Sequence, residues 1–326
     1  MSSNKTIIII DGGVFSPPTK ATGNLAFNIA SFLSSKHPNQ HINYNFLPTN
    51  KYYNKPWVRC VDEKDRLVML NNLVKYIDTE YKIPNNIKFI VDDWEINWGK
   101  KHKSPSTTLN TLNHHFNKNQ YPYIYINQSM DNIIQRVKGQ WQNSLELFFM
   151  VKFIVYDIYS SDMIGNNQYE YLYKNFNLKE LLNVSIYPEP IKKFFKTNKI
   201  TQQDILDFVS YNKNPNKFEK IKDLVMKQIT FLPKNLVPQS YKSMAGNRVR
   251  EELDVYYSAL ENLNKYTTPD TQKLIFDNKL YHHCKSTYQN KLVSKTKKSK
   301  SKSKSKSKSK SKSKSKSKSN SKKIKK

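Results

Sequence analysis

Six short apolar runs punctuate the chain, at Thr6–Ile10, Ile42–Phe46, Ile87–Val91, Tyr121–Ile126, Phe153–Tyr156 and Ile229–Leu232. Each is rich in β-branched or aromatic residues and gives way to polar turn residues, the pattern of a strand buried on both faces. Between them the apolar spacing changes. Leu67, Leu70, Val74 and Ile77 recur every three or four positions, as do Leu109, Leu112 and Phe116, which predicts helices with one face turned to a core. A further helix is predicted to open near Thr22-Gly23-Asn24. Strands alternating with helices build a parallel sheet covered on both faces. The expected fold is therefore α/β and doubly wound, with ligands bound beyond the carboxyl ends of the strands.

The stretch 160–228 is less regular, with Tyr-rich and Asn-rich segments and weak helical patterns around Gln202–Val209 and Phe218–Lys227; it reads as an insertion or a helical cap over the sheet. Residues 243–260 read as an amphipathic helix, and Pro269 opens a short one through Phe276, since proline suits a first helical turn. This makes a helical C-terminal part, ending near Tyr281–Cys284. From Ser299 to Ser319 serine and lysine alternate almost without interruption. That segment has no apolar surface to bury, so a folded domain is expected over 1–290 and a disordered basic tail over 291–326.

The tail changes the meaning of the charge. The whole chain of 326 residues carries +29, but without the 17 lysines of residues 295–326 the net charge is +12. A moderately basic body suits phosphorylated small molecules as well as polynucleotides. For the tail, an electrostatic tether to nucleic acid and a neutral repeat expansion both remain open. Cys60 and Cys284 are too few and too far apart for a disulfide framework or a metal site, and suggest free thiols in a reducing compartment. The pairs His114-His115 and His282-His283 lack a companion at ligand spacing, so no protein-held metal is expected. No apolar run reaches the roughly 18–20 residues that span a bilayer, and the first residues do not read as a secretory signal. The expectation is an intracellular protein, in cytoplasm or nucleus, with no membrane partner; a homo-oligomer is compatible with the sequence.

The first apolar run feeds Asp11-Gly12-Gly13-Val14-Phe15-Ser16-Pro17-Pro18-Thr19 and then a helix. Paired glycines allow close backbone approach, and the following helix start offers unpaired N–H groups, so an anion is a natural occupant. Gly13-Val14-Phe15-Ser16-Pro17-Pro18-Thr19 resembles the Gly-Ser-Phe-Asn-Pro-x-Thr turn of the nicotinamide or nicotinate mononucleotide adenylyltransferase family. Further segments resemble that family in order along the chain. Val91-Asp92-Asp93-Trp94-Glu95 is similar to its Val-Asp-x-Trp-Glu, downstream of Arg66-Leu67-Val68-Met69, similar to Arg-x-x-Met. Ser129-Met130-Asp131 is similar to a Gly-x-Asp turn, with Trp141 at nearly the family's spacing for a second tryptophan. Met244 to Arg250 stands where the family has a hydroxyl-rich helix start ending in arginine, and Thr268-Pro269-Asp270 leading to Leu280-Tyr281 echoes its closing helix.

The resemblance implies a Rossmann-like nucleotidyltransferase that moves the adenylyl group of ATP, with Mg²⁺, onto a pyridine mononucleotide, releasing pyrophosphate. Such chemistry depends on aligning two phosphates and neutralising charge, not on a protein nucleophile. Carried over residue by residue, ATP would meet Gly12, Gly13, Phe15, Asp131, Gly246, Asn247, Arg248 and Arg250. The mononucleotide would meet Arg66, Trp94, Glu95 and Trp141. Thr19, Lys20, Thr22, Asn24 and Arg250 would serve the reacting phosphates. The departures are specific. The family's phosphate-reading histidine falls on Thr22 if the turn is aligned without a gap, and on Asn24 if two residues are inserted. Lys20 could supply charge instead. Ala245-Gly246-Asn247 replaces hydroxyls, and Tyr156-Asp157-Ile158 stands where an arginine is expected. Two rival readings follow: a catalytically inactive nucleotide-binding protein whose tail binds nucleic acid, and nucleotidyl transfer to another phosphorylated acceptor.

Overall fold

The computed structural model describes residues 6–54, 58, 61–118, 123–141, 143–157, 167–178, 189–210, 215–238, 263 and 265–281. Within them, all six predicted strands form: β1 (Ile7–Gly13), β2 (Ile42–Pro48), β3 (Ile87–Val91), β4 (Tyr123–Ser129), β5 (Lys152–Tyr156) and β6 (Ile229–Phe231). They make one sheet in the order β3-β2-β1-β4-β5-β6, and every pairing is parallel. That order, winding outward in both directions from β1, is that of a Rossmann-like doubly wound fold. Side chains alternate along each strand, so the two faces carry different cores. Ile7, Ile9, Tyr44, Phe46 and Phe89 face one layer of helices; Ile8, Ile10, Ile124, Ile126 and Phe153 face the other.

The first layer is α1 (Lys20–Lys36) and α2 (Glu63–Glu80). Leu25, Ala26, Ile29 and Leu33 of α1 and Leu70, Leu73 and Ile77 of α2 are buried on it. Helix α1 begins at Lys20, two residues before the position expected from sequence. The reason is local: Thr19 is its N-cap, and the Thr19 hydroxyl accepts from the Thr22 amide at 3.2 Å.

The opposite layer holds α4 (Thr108–Lys118), α5 (Met130–Val137), α6 (Ser144–Met150), α7 (Gln168–Lys174), α8 (Glu189–Asn198), α9 (Gln202–Ser210) and α10 (Pro215–Met226). The described part of 160–228 is therefore helical, packed on the sheet face through Leu172, Ile191, Phe195, Ile205 and Ile221. A short helix, α3 (Trp94–His102), follows β3. Helix α11 (Pro269–Asp277), capped by Thr268, packs on α2 through Ile275 and Met69. Tyr281 beyond it is buried, and its hydroxyl lies 2.9 Å from that of Ser16 in the β1–α1 turn. The segment 243–260, both cysteines and the Ser-Lys tail lie outside the described residues. Among the described residues no helix is long and apolar enough to cross a membrane.

Candidate functional site at the sheet switch point

In a doubly wound sheet the connections leave β1 on one side and β4 on the other, and a crevice opens where their carboxyl ends part. Here it is a cavity of about 490 Å³. Gly12, Gly13 and Val14 bound it at the end of β1, Leu47 and Thr49 at β2, and Ile126, Asn127 and Gln128 at β4. Glu95 of α3, Thr108, Thr111 and Leu112 of α4, Arg136 of α5 and Trp141 complete the wall, with Ser106 from the α3–α4 connection. Nothing stands within 4 Å of where a Cβ on Gly12 would be, so the backbone there is open to a ligand.

Four residues from three separated motifs meet on this wall: Gly12, Gly13, Glu95 and Trp141. Glu95 is 5% exposed. Burial pushes its carboxyl up to about 7, although hydrogen bonds from the Asn50 amide and Ser106 and the nearby Arg66 guanidinium pull it down. Helix α3 reaches this position because Gly99 lets it lie on Asn50: a Cβ at Gly99 would sit 2.6 Å from the Asn50 Cβ. The Asn50 side-chain amide, distinct from the main-chain N–H that meets the Glu95 carboxyl, then donates to the Glu95 and Ser104 main-chain carbonyls, both at 3.2 Å. Asp92 prepares the helix start, its Oδ1 accepting from the Trp94 amide at 3.0 Å.

Other predicted residues stand elsewhere. Arg66 is fully buried (0% exposed) behind the cavity. Its Nη1 donates to the Thr49 carbonyl at 2.7 Å and the Val14 carbonyl at 3.2 Å, clasping the turns after β1 and β2. Trp94 lies in a groove of about 420 Å³ between α3 and α4, stacked on His114 with 5.0 Å between ring centres and beside Trp98. The structure thus separates the two tryptophans: Trp141 is on the cavity wall and Trp94 in the adjacent groove. Phe15, at φ +43°, turns its ring edge-on to Phe46 within the core. The Lys20 ammonium lies 5.7 Å from the Tyr76 ring centre on α2. Thr22 is half-buried in the first turn of α1, its hydroxyl 3.0 Å from that of Thr19. The side-chain oxygen of Asn24 is buried without a hydrogen-bond partner among the described residues. Asp131 is exposed in the first turn of α5. Gly246, Asn247, Arg248 and Arg250 lie outside the described residues.

Two features escaped sequence reasoning. Asp11, at the end of β1, accepts from the Tyr44 hydroxyl at 2.8 Å, and Asn127 donates to that hydroxyl at 3.1 Å. Burial pushes the Asp11 carboxyl up to about 6 against these bonds. Arg136 is 3% exposed on the core face of α5, in step with Met130, Ile133 and Val137. Its Nε donates to Gln128 Oε1 at 2.9 Å and its guanidinium stands 4.4 Å from the Trp141 ring centre. A basic residue at a core position of an otherwise amphipathic helix was the sequence signal for it.

No family model matches the chain, and no curated protein matches it by sequence. Among solved structures it is similar to the Plasmodium falciparum nicotinic acid mononucleotide adenylyltransferase complexed with NaAD, at 15% identity and a TM-score of 0.43, over 85% of this chain and 97% of that one. The same enzyme complexed with APC gives 16% identity and a TM-score of 0.41 over the same shares. An S. aureus MnaA–UDP structure gives 10% and 0.23 over 78% of this chain and 47% of the other. The fold assignment itself rests on the strand order and the parallel pairing.

Proposed function

We propose that this protein transfers the adenylyl group of ATP to a pyridine mononucleotide. The observation that carries the reading is the meeting of Gly12, Gly13, Glu95 and Trp141 in one cavity at the switch point of the sheet. These residues belong to separate segments that resemble one family, and a crevice beyond the strand ends is where this fold binds ligands. In the reaction, a 5′-phosphate oxygen of the mononucleotide attacks the α-phosphorus of ATP, the bond from that phosphorus to the bridging oxygen breaks, and pyrophosphate leaves. The chain's contribution is alignment and charge compensation. Main-chain N–H groups at the end of β1 and in the first residues of α1 would hold phosphate oxygens, and Trp141 would offer an aromatic surface to the pyridine. Arg248 and Arg250 are proposed for the pyrophosphate on sequence grounds. Among the described residues no group of three His, Cys, Asp or Glu side chains could hold a metal ion. Magnesium is proposed to arrive with the ATP phosphates, as part of the substrate.

One observation favours the inactive nucleotide-binding reading. The described part of the turn presents Thr19, Thr22 and Asn24, all neutral, while the Lys20 ammonium lies over Tyr76. Losing one transition-state donor costs on the order of a hundred- to a thousandfold in rate. Incubating the full chain with ATP, Mg²⁺ and nicotinate or nicotinamide mononucleotide decides between them. Dinucleotide and pyrophosphate in equal amounts are expected; nucleotide binding with no dinucleotide above background would replace the enzyme by the scaffold.

A further inference from the structure

The turn that joins β1 to α1 is held at successive residues by different parts of the chain. The Gly13 carbonyl accepts from the Thr49 amide at 2.9 Å, and the Val14 carbonyl accepts from Arg66 Nη1 at 3.2 Å. Phe15 sends its ring into the core against Phe46. Ser16, 1% exposed, is met from much further along the chain: its hydroxyl lies 2.9 Å from that of Tyr281, 265 residues away in sequence. The placement of Tyr281 is itself over-determined. Helix α11 is followed by Lys279 at φ +48°, and the Leu280 amide returns to the Ile275 carbonyl at 2.9 Å, which turns the chain back across the helix end. Tyr281 comes next at φ +71°, a backbone region that a side chain of its size enters only where the surroundings compel it. Those surroundings are Val61, Met69, Leu263 and Ile275, which share its buried cluster, and Met69 stands about one turn along α2 from Arg66.

Backbone strain of this kind gathers at ligand clamps and switch regions. Tyr281 does not line the cavity, so any effect it has on a ligand passes through Ser16. Resting on the adenylyl-transfer reading, in which N–H groups at the end of β1 and in the first residues of α1 meet phosphate oxygens, the turn between them sets the spacing of the two groups. We propose that Tyr281 is a positioning residue for that turn: its hydroxyl holds Ser16, and with it both sets of N–H groups, in the arrangement that receives the triphosphate of ATP. A turn ordered beforehand binds without the entropy cost of ordering it on contact. The ring and the hydroxyl then do separate work. Burial of the ring fastens α11 to α2, while the hydroxyl carries the C-terminal part's hold to the mouth of the cavity.

The test is calorimetric titration of the full chain with Mg²⁺-ATP, run beside thermal unfolding, amide hydrogen exchange and dinucleotide formation. Tyr281→Phe keeps the ring and removes the hydroxyl. Ser16→Ala removes the other hydroxyl, and serves if the first variant does not fold. Each should weaken ATP binding by about threefold to tenfold, the range of one hydrogen bond. The double variant should lose no more than either, because the two hydroxyls act as a pair. Exchange should quicken over residues 13–22 and stay unchanged over β4 and β5. Unchanged ATP affinity in a folded variant, effects of the two substitutions that add, or faster exchange throughout the sheet each overturns the proposal, the last by making the hydroxyl pair part of global stability. The expected pattern with no dinucleotide from wild type sustains the role of Tyr281 and retires the transfer reading. Dinucleotide from wild type, with ATP affinity indifferent to both substitutions, does the reverse. No binding of ATP by wild type overturns both.

Discussion

The two walls of the cavity are built from different chemistry. On the β1 side stand Gly12, Gly13 and Val14, while the threonine cap and the lysine that follow in the turn lie off the cavity, the lysine over Tyr76. On the α5 side stands a buried arginine locked to Gln128 and Trp141. Both walls owe their location to the strand order, which parts the connections of β1 and β4. Their charge owes nothing to it. Topology decides where a ligand enters, and individual side chains decide which one. The turn most reminiscent of a phosphate site is thus the neutral wall, and the wall with charge is the one no motif announced.

The strongest way to break the comparison is to remove what joins the first wall to the rest. Arg66→Ala withdraws the donor shared by the Val14 and Thr49 carbonyls and leaves a hole the size of a buried arginine. A loss of roughly 3–4 kcal/mol in unfolding free energy is expected, together with equal weakening of ATP and mononucleotide. Urea unfolding and titration of both ligands check it. Unchanged stability with selective loss of the mononucleotide would instead make Arg66 a ligand-contacting residue.

Glu95 sharpens the comparison through pH. Its carboxyl rises from 4.5 to about 7 on folding, so the folded state holds the proton more tightly than the unfolded one. The associated stabilisation is complete below about pH 4.5 and is lost as pH climbs through 7, a change on the order of 3 kcal/mol. Glu95→Gln should remove that slope. Asp11, raised from 3.8 to about 6, adds a slope of the same sign that ends sooner and that the variant retains. Unfolding free energies measured from pH 4 to pH 8 should therefore converge below about pH 4.5, diverge between 4.5 and 7, and run parallel above 7, with the variant more stable there. Profiles parallel over the whole range would mean that Glu95 is hydrated in the folded protein.

The strands were legible because each contains a short run of apolar, mostly β-branched or aromatic residues, and a parallel order needs little more than alternation with helices. Helix α1 starts two residues before the position its sequence pattern predicts, because Thr19, which follows two prolines and reads as turn, caps the Thr22 amide with its side chain. The cavity's glycines, Glu95 and Trp141 were legible from local motifs. What was not legible is orientation: Trp94 and Trp141 look equivalent in sequence, but α3 carries Trp94 into the groove against His114 while the residues after α5 set Trp141 on the cavity wall. Arg136 offered only its placement among Met130, Ile133 and Val137, a pattern that says buried and leaves open towards what.

The smallest expected effect tests whether the neutral wall can be given charge. With α1 beginning at Lys20, Thr22 stands in its first turn, where N–H groups still point out of the helix, and Asn24 stands one turn-position deeper with its carbonyl oxygen already buried. An imidazole at 22 would project beside the phosphates, whereas one at 24 would have to displace packed atoms. Thr22→His should raise turnover by about threefold to tenfold, a fraction of what a native donor supplies because the surrounding turn is not shaped to hold the ring. Asn24→His should lower stability and leave the rate unimproved. Single-turnover rates at saturating ATP compare the two. A gain at 24 and none at 22 would restore the two-residue insertion and put the phosphate-reading position inside the helix. A change in ATP affinity at either position, with no change in rate, would mean that the turn holds the nucleotide without serving its chemistry, and that the charge on the α5 wall has not made the cavity an active site.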